Sequence, residues 1–153
     1  PDGLFISPDG TMALISSERN GTFQLMALPS GTLYGNPYVV ENDLPSGWQR
    51  DDRSYKKRTE PEECSLVEQD GKLYAVFALQ ESHAVIVYDV TDPANPVFDS
   101  MAPAGIDYEN DTGMEKSTIG SEGLGMHQTN GVAFSANERE GSITMFTAAW
   151  ARE

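Results

Sequence analysis

The chain has 153 residues, and 10 basic residues against 24 acidic residues give it a formal net charge of −14. Apolar residues make up 39% of the sequence and charged residues 22%, with 14 glycines and 9 prolines. This composition is typical of a turn-rich globular protein and excludes collagen-like and wholly disordered classes. The negative charge repels phosphate backbones, so we expect no nucleic-acid partner. It favours cations as ligands, or it serves solubility alone.

No apolar run approaches the roughly 20 residues that span a bilayer, so we expect no membrane span. The longest runs, residues 74–79 and 84–88, have the length of strands. Cys64 is the only cysteine, which excludes a disulfide within the chain. The sequence begins at Pro1 without a signal peptide, and we therefore expect either a processed chain or a piece of a longer one.

Three segments with the same order of features start at Pro1, Pro61 and Ser121, 60 residues apart. Each segment continues with a glycine turn, an apolar run, a glutamate and a second apolar run. Asp-Gly and Asn-Gly favour two-residue hairpin turns because both central residues adopt positive φ. The pattern predicts strand, turn, strand, acidic turn, strand in each segment. The turns are Asp9-Gly10, Asp70-Gly71 and Asn130-Gly131, and the glutamates are Glu18, Glu81 and Glu138.

The apolar runs predict the strands in chain order. Residues 22–28 alternate with the period of two that marks a strand with one buried face. Residues 85–88 are apolar on both faces, as in a sheet that lies between two others. A proline begins each predicted fourth strand, which favours an outer edge position. We expect strands at 11–16, 22–28, 37–40, 72–79, 85–90, 96–100, 132–135 and 142–147, and no helix longer than one turn.

Repeated four-stranded units with glycine turns are typical of a β-propeller. We therefore predict an all-β fold of propeller blades, each with four antiparallel strands. The chain holds about two and a half blades, whereas closed propellers use about four to eight. It is then a partial propeller or one part of a larger ring, completed by more of the same chain or by additional chains, and a single open β-sheet domain is the fallback. The predicted divisions are a first blade (1–49), a charged inter-blade loop (50–60), a second blade (61–105), an acidic loop (106–119) and an incomplete third blade (120–153).

Two segments resemble a known family of secreted propellers. Residues 61–98 include the motif YDVTDP at 88–93, and residues 120–146 open with GSEGL. These motifs resemble the choice-of-anchor I proteins, which include the mesenchyme-specific cell-surface glycoproteins. The family pattern has a glycine where this chain has Glu63. Residues 1–21 fit many propeller families, among them the phytase-like esterases and the lactonase-like propellers. The resemblance implies a propeller at an extracellular, periplasmic or cell-surface location.

Three acids occupy equivalent places at the segment starts: Asp2, Glu62 and Glu122. If the first strand of each blade lines a central channel, these carboxylates converge there. Converging carboxylates repel one another, and a hard cation such as Ca²⁺ relieves the repulsion. We therefore predict a metal site at Asp2, Glu62 and Glu122. The alternative is that each acid caps a turn.

Two further acidic groups are candidates. Asp107, Glu109 and Asp111 alternate as calcium ligands do, although the glycine falls one residue late and Thr118 stands where an EF-hand has glutamate. A solvated loop is the alternative there. Glu18, Glu81 and Glu138 either form a shared acidic surface or stabilise their own turns.

Catalytic motifs are few. The sequence contains no G-x-S-x-G, H-E-x-x-H or P-loop pattern, and His83 and His127 are expected at turns or on the surface. We predict a binding or scaffold module with Ca²⁺ as the candidate ion. The alternatives are a metal-dependent phosphatase or phytase-like esterase with its site in the channel, and a purely structural subunit of an assembly.

Overall fold

The computed structural model describes residues 1–45, 58–103, 120–128, 131–138 and 141–147. Within these ranges the chain is all-β, with its strands in three antiparallel sheets. In the described part of the chain, helix is limited to two single 3-10 turns, Glu18–Asn20 and Val40–Asp43. The predicted all-β class is therefore confirmed. None of the described helices is long or apolar enough to cross a membrane.

Each sheet is a meander in which strands adjacent in sequence are adjacent in space. Sheet I comprises β1 (Leu4–Ile6), β2 (Met12–Ser17), β3 (Thr22–Ala27) and β4 (Leu33–Val39). Sheet II comprises β5 (Pro61–Gln69), β6 (Lys72–Leu79), β7 (Ala84–Asp89) and β8 (Val97–Pro103). Sheet III comprises, in the described part of the chain, β9 (Ser121–Met126), β10 (Val132–Asn137) and β11 (Ser142–Thr147).

The glycine turns differ between the sheets. Asp70 and Gly71 both adopt positive φ, 51° and 74°, and join β5 to β6 as the predicted two-residue turn. In sheet I the expectation is wrong, because β1 ends at Ile6 and β2 begins only at Met12. There Asp9 keeps negative φ and its carboxylate accepts hydrogen bonds from Ser7 Oγ (2.6 Å) and from the amide of Thr11 (3.0 Å). An aspartate bound to its own loop in this way stabilises a longer turn.

The fourth strands, β4 and β8, lie at sheet edges as predicted. Their positions relative to proline differ from the expectation. Pro37 lies inside β4, where the pairing with β3 shifts register between Phe23 and Leu25. Proline fits such a bulge because no ladder hydrogen bond is needed there. In sheet II, Pro96 immediately precedes β8.

The main core lies between sheets I and II, and a second core lies between sheets II and III. Sheet II is therefore covered on both faces, and β7 is buried along nearly its whole length, as its sequence predicts. An aromatic cluster fills the first core, with Phe23 at 4.7 Å from Phe77 and 5.0 Å from Tyr88 between ring centroids. The second core joins Val67, Tyr74, Val76, Val85 and Val87 to Leu124, Met126 and Phe146.

Candidate functional site

Three carboxylates meet where sheets I and II join. Asp2 precedes β1, Glu18 opens the 3-10 turn between β2 and β3, and Glu62 lies near the start of β5. One carboxylate oxygen from each of the three lies within 4.8 Å of the others. We call these three residues the acid cluster. Asp2 is exposed, and Glu18 and Glu62 are half-buried, so the cluster is open to solvent on one side.

Backbone contacts at Gly3 position the acid cluster. The amide of Gly3 donates to Ser16 Oγ over 2.9 Å, and Ser16 Oγ lies 3.3 Å from the carbonyl oxygen of Glu62 as a donor. A Cβ at residue 3 would lie only 2.5 Å from Ser16 Oγ and 2.7 Å from that carbonyl oxygen. Glycine is therefore required for the segment that carries Asp2 to pack against β5.

Glu62 is the most perturbed member of the acid cluster. Burial, followed by the hydrogen bond with the Asp2 carboxyl and the charges of Asp2, Glu18 and Glu60, raises the pKa of Glu62 to about 8. Within the described residues, the buried Oε2 of Glu62 has no hydrogen-bond partner. The cluster therefore favours either a proton on Glu62 or a positive charge beside it.

The structure brings two of the three predicted channel acids into the acid cluster and leaves the third outside it. Asp2 and Glu62 share a hydrogen bond, while Glu122 Oε1 accepts one from Gln80 Nε2 over 3.3 Å. Burial, followed by the charge and hydrogen bond of Glu138, raises the pKa of Glu122. The charge of Asp2 also raises the pKa of Glu122, which lies at the junction of sheets II and III and is not one of the three residues of the acid cluster.

Sequence reasoning assigned Glu18 to a different group of acids. The β1–β2 hairpin pairs Leu4 with Ile15, and the amide of Asp2 donates to the carbonyl oxygen of Ser16 over 3.0 Å, which brings Asp2 close to Glu18. That register could have identified the contact in advance. A two-residue turn at Asp9-Gly10 gives the same pairing of Leu4 with Ile15 as the longer turn that is observed, so the signal was present in the sequence.

The three turn glutamates do not form one surface. Glu18 is part of the acid cluster, Glu81 is fully buried, and Glu138 is exposed. His83, in the same turn as Glu81, is also buried and accepts a hydrogen bond at Nδ1 from the amide of Gly120 over 3.4 Å. The predicted turn position of His83 is therefore correct, but it is an interior residue rather than a surface one; His127 is exposed.

The second predicted calcium group, Asp107, Glu109 and Asp111, lies outside the described residues, as does the predicted acidic loop 106–119. Most of the predicted charged loop 50–60 lies outside them too. Of its last three residues, Arg58 contacts Glu41 over 3.5 Å, and Thr59 and Glu60 are buried.

No protein-family model matches this sequence, and no curated protein matches it. A solved structure similar to this chain is hydrazine synthase of Kuenenia stuttgartiensis, with 14% sequence identity and a TM-score of 0.44. The match covers 95% of this chain and 58% of that one, so this chain spans less than two thirds of its length. A likeness at this level carries no argument about activity.

Proposed function

We propose that this chain is part of a β-propeller that serves as an extracytoplasmic binding or scaffold module and binds Ca²⁺ at Asp2, Glu18 and Glu62. The observation that carries the cation site is the half-buried carboxylate of Glu62, whose pKa is raised beside the two other acids. The extracellular, periplasmic or cell-surface location rests on the resemblance of residues 61–98 and 120–146 to choice-of-anchor I proteins.

The arrangement of the sheets supports the propeller. Three successive meanders pack face to face, and β5, the first strand of sheet II, contacts β1 and β9, the first strands of its neighbours. First strands that lie side by side are expected where blades radiate from a common axis. A ring then needs further sheets beyond these three, supplied by more chain or by other chains.

The chemistry of the acid cluster suits a hard cation. Ca²⁺ takes six to eight oxygen ligands at about 2.3–2.6 Å, so oxygens up to about 5 Å apart can share one ion. The acid cluster offers three carboxylates within 4.8 Å, and water supplies the remaining ligands at its solvent-exposed side. A bound Ca²⁺ offsets the repulsion that raises the pKa of Glu62.

Calorimetric titration of Ca²⁺ into the metal-free protein tests the cation site. We expect saturable binding, a loss of at least about tenfold in affinity in Glu62→Gln, and no change in Glu68→Gln, which removes the same charge from an exposed position on the same strand. The absence of both binding heat and a shift in melting temperature at millimolar Ca²⁺ would overturn the proposed cation site.

The hydrolase alternative uses the same carboxylates but needs a general base or nucleophile beside them. Among the described residues, the acid cluster includes no histidine or cysteine. An assay with p-nitrophenyl phosphate and a carboxyl ester separates the two functions. Turnover that depends on Ca²⁺ and disappears in Glu62→Gln would show that the chain is a metal-dependent hydrolase and not a scaffold module.

A further inference from the structure

The two end sheets each leave one apolar face uncovered in the described structure. On the face of sheet I that points away from sheet II, Leu4 is 65% exposed and Ile6 is 54% exposed. On the face of sheet III that points away from sheet II, Ile143 is 74% exposed and Met145 is 63% exposed, with Phe134 beside Met145 in the pairing. We call these the sheet I free face and the sheet III free face.

The sheet I free face has the same side-chain pattern as the face by which sheet III packs on sheet II. In sheet I, Ala13 pairs with Ile6 on one side and with Met26 on the other. In sheet III, Ala133 pairs with Met126 on one side and with Phe146 on the other. The corresponding positions, including Leu4 and Leu124, are all separated by 120 residues. Leu124, Met126 and Phe146 pack against sheet II.

The sheet III free face corresponds in turn to the face of sheet II that receives sheet III. The β9–β10 and β10–β11 pairings place Phe134 and Ile143 where sheet II has Tyr74 and Val87. Tyr74 and Val87 belong to the buried core between sheets II and III. The two free faces are therefore the two halves of an interface that already exists once within the chain.

We propose that a second copy of this chain covers both free faces, with sheet III of each copy packed on sheet I of the other. The inference rests on the ring arrangement proposed above, because a closed pair needs sheets that radiate around one axis. Two copies of the three described sheets give six, within the range of about four to eight for closed propellers. Such a contact is head-to-tail, since different surfaces of the two copies meet, and closure uses up both faces.

The mass of the particle tests this directly. In sedimentation or light scattering at about 0.15 M salt, where repulsion between two acidic copies is screened, we expect twice the mass of the 16.7 kDa chain. Leu4→Glu and Ile143→Glu should each give a monomer with unchanged far-UV circular dichroism, because both positions are solvent-exposed in the single chain. Val97→Glu, on the exposed edge strand β8, is the matched control and should stay dimeric.

Mixing the two monomeric variants distinguishes head-to-tail docking from an arrangement in which each free face packs on the same face of the other copy. Leu4→Glu retains an intact sheet III free face, and Ile143→Glu retains an intact sheet I free face. The mixture should therefore form a dimer through one intact contact, although neither variant dimerises alone. A mixture that remains monomeric overturns the head-to-tail arrangement.

A monomeric wild-type chain also overturns the inference, as do particles that keep growing with concentration, because an open series of copies is not a closed pair. Neither result decides the proposed function, since the acid cluster lies within one chain. If the wild-type chain is a monomer that binds Ca²⁺, and Glu62→Gln loses that binding, the cation site is supported and the dimer is overturned. If the chain is a dimer that does not bind Ca²⁺, the dimer is supported and the cation site is overturned.

Discussion

The hydroxyl of Tyr88 donates a hydrogen bond to Asp43 Oδ2 over 3.0 Å and joins sheet II to the end of sheet I. Tyr88 lies on β7 and is fully buried, whereas Asp43 ends the 3-10 turn that follows β4. Burial and the negative charge of Asp43 raise the pKa of the Tyr88 hydroxyl, which therefore stays a donor. The contact fixes how the two sheets sit against each other at one end of the aromatic cluster.

Removing this hydroxyl should destabilise the protein without disrupting the aromatic packing. Tyr88→Phe retains the ring contacts with Phe23 and Tyr38, at 5.0 and 5.2 Å between centroids. We expect a loss of about 1.5–3 kcal/mol in the free energy of unfolding, the usual range for a hydrogen bond to a charged group. Urea unfolding of Tyr88→Phe, Asp43→Asn and the double variant measures it. Strictly additive losses would show that the two groups are not coupled.

Gly3→Ala should destabilise the junction of sheets I and II. The new Cβ would overlap Ser16 Oγ and the carbonyl oxygen of Glu62, and the second of these is backbone that cannot move alone. We expect a loss of about 1–3 kcal/mol, as for overpacked core positions, together with weaker Ca²⁺ binding because Asp2 is displaced.

Gly125→Ala is the matched control for that substitution. Gly125 is also a strand residue, but a Cβ there would meet nothing within 4 Å. Its effect on the free energy of unfolding should stay within about 0.5 kcal/mol, as for most surface substitutions. Equal losses in the two variants would show that the close approach at Gly3 is not the cause.

The strands could be predicted from the sequence because their faces follow simple periods. Two predicted strands, Lys72–Leu79 and Ser142–Thr147, coincide with β6 and β11. The buried faces of β7 are evident from its unbroken apolar run, since a strand covered on both sides has no polar positions. These are local properties, fixed by each strand's own residues.

The acid cluster could be predicted only in part because it depends on register. Asp2 and Glu62 were found through their equivalent places in the chain. Glu18 joins them across the β1–β2 hairpin, and Glu122 instead accepts a hydrogen bond from Gln80. Such contacts depend on the pairing of strands and the packing of sheets, which equivalent places in a repeat do not specify.

Cys64 should be unreactive in the folded protein. It is buried in the core between sheets I and II, with its Sγ 3.9 Å from the carbonyl oxygen of Leu14, and burial raises its pKa to about 12. The thiolate is the reactive form, so a disulfide reagent should label native protein about a hundredfold or more slowly than protein in denaturing guanidinium. Rapid labelling of the native state would mean that sheets I and II separate readily.

Protein stability without Ca²⁺ should decrease as pH rises from about 4.5 to about 8. The pKa of Glu62 is raised from its ordinary value of 4.5 to about 8 in the folded chain. Below 4.5 the carboxyl is protonated in both folded and unfolded chains, and its stabilising contribution is fully present. As pH rises through 8 the folded chain must also release the proton, and that contribution is lost. Thermal melts across this range in a chelator-treated buffer measure the decrease.

Calcium should oppose the decrease in protein stability at rising pH, because the ion takes the place of the proton on Glu62. We expect the affinity for Ca²⁺ to rise as pH rises from about 6 to above 8, since the ion binds the ionised carboxylate. Glu62→Gln cannot titrate, so it should flatten the pH dependence of the melts and lose the calcium effect, whereas Glu68→Gln should behave like the wild type. A calcium affinity that is the same at both ends of this pH range would show that the ion and the proton do not compete for Glu62.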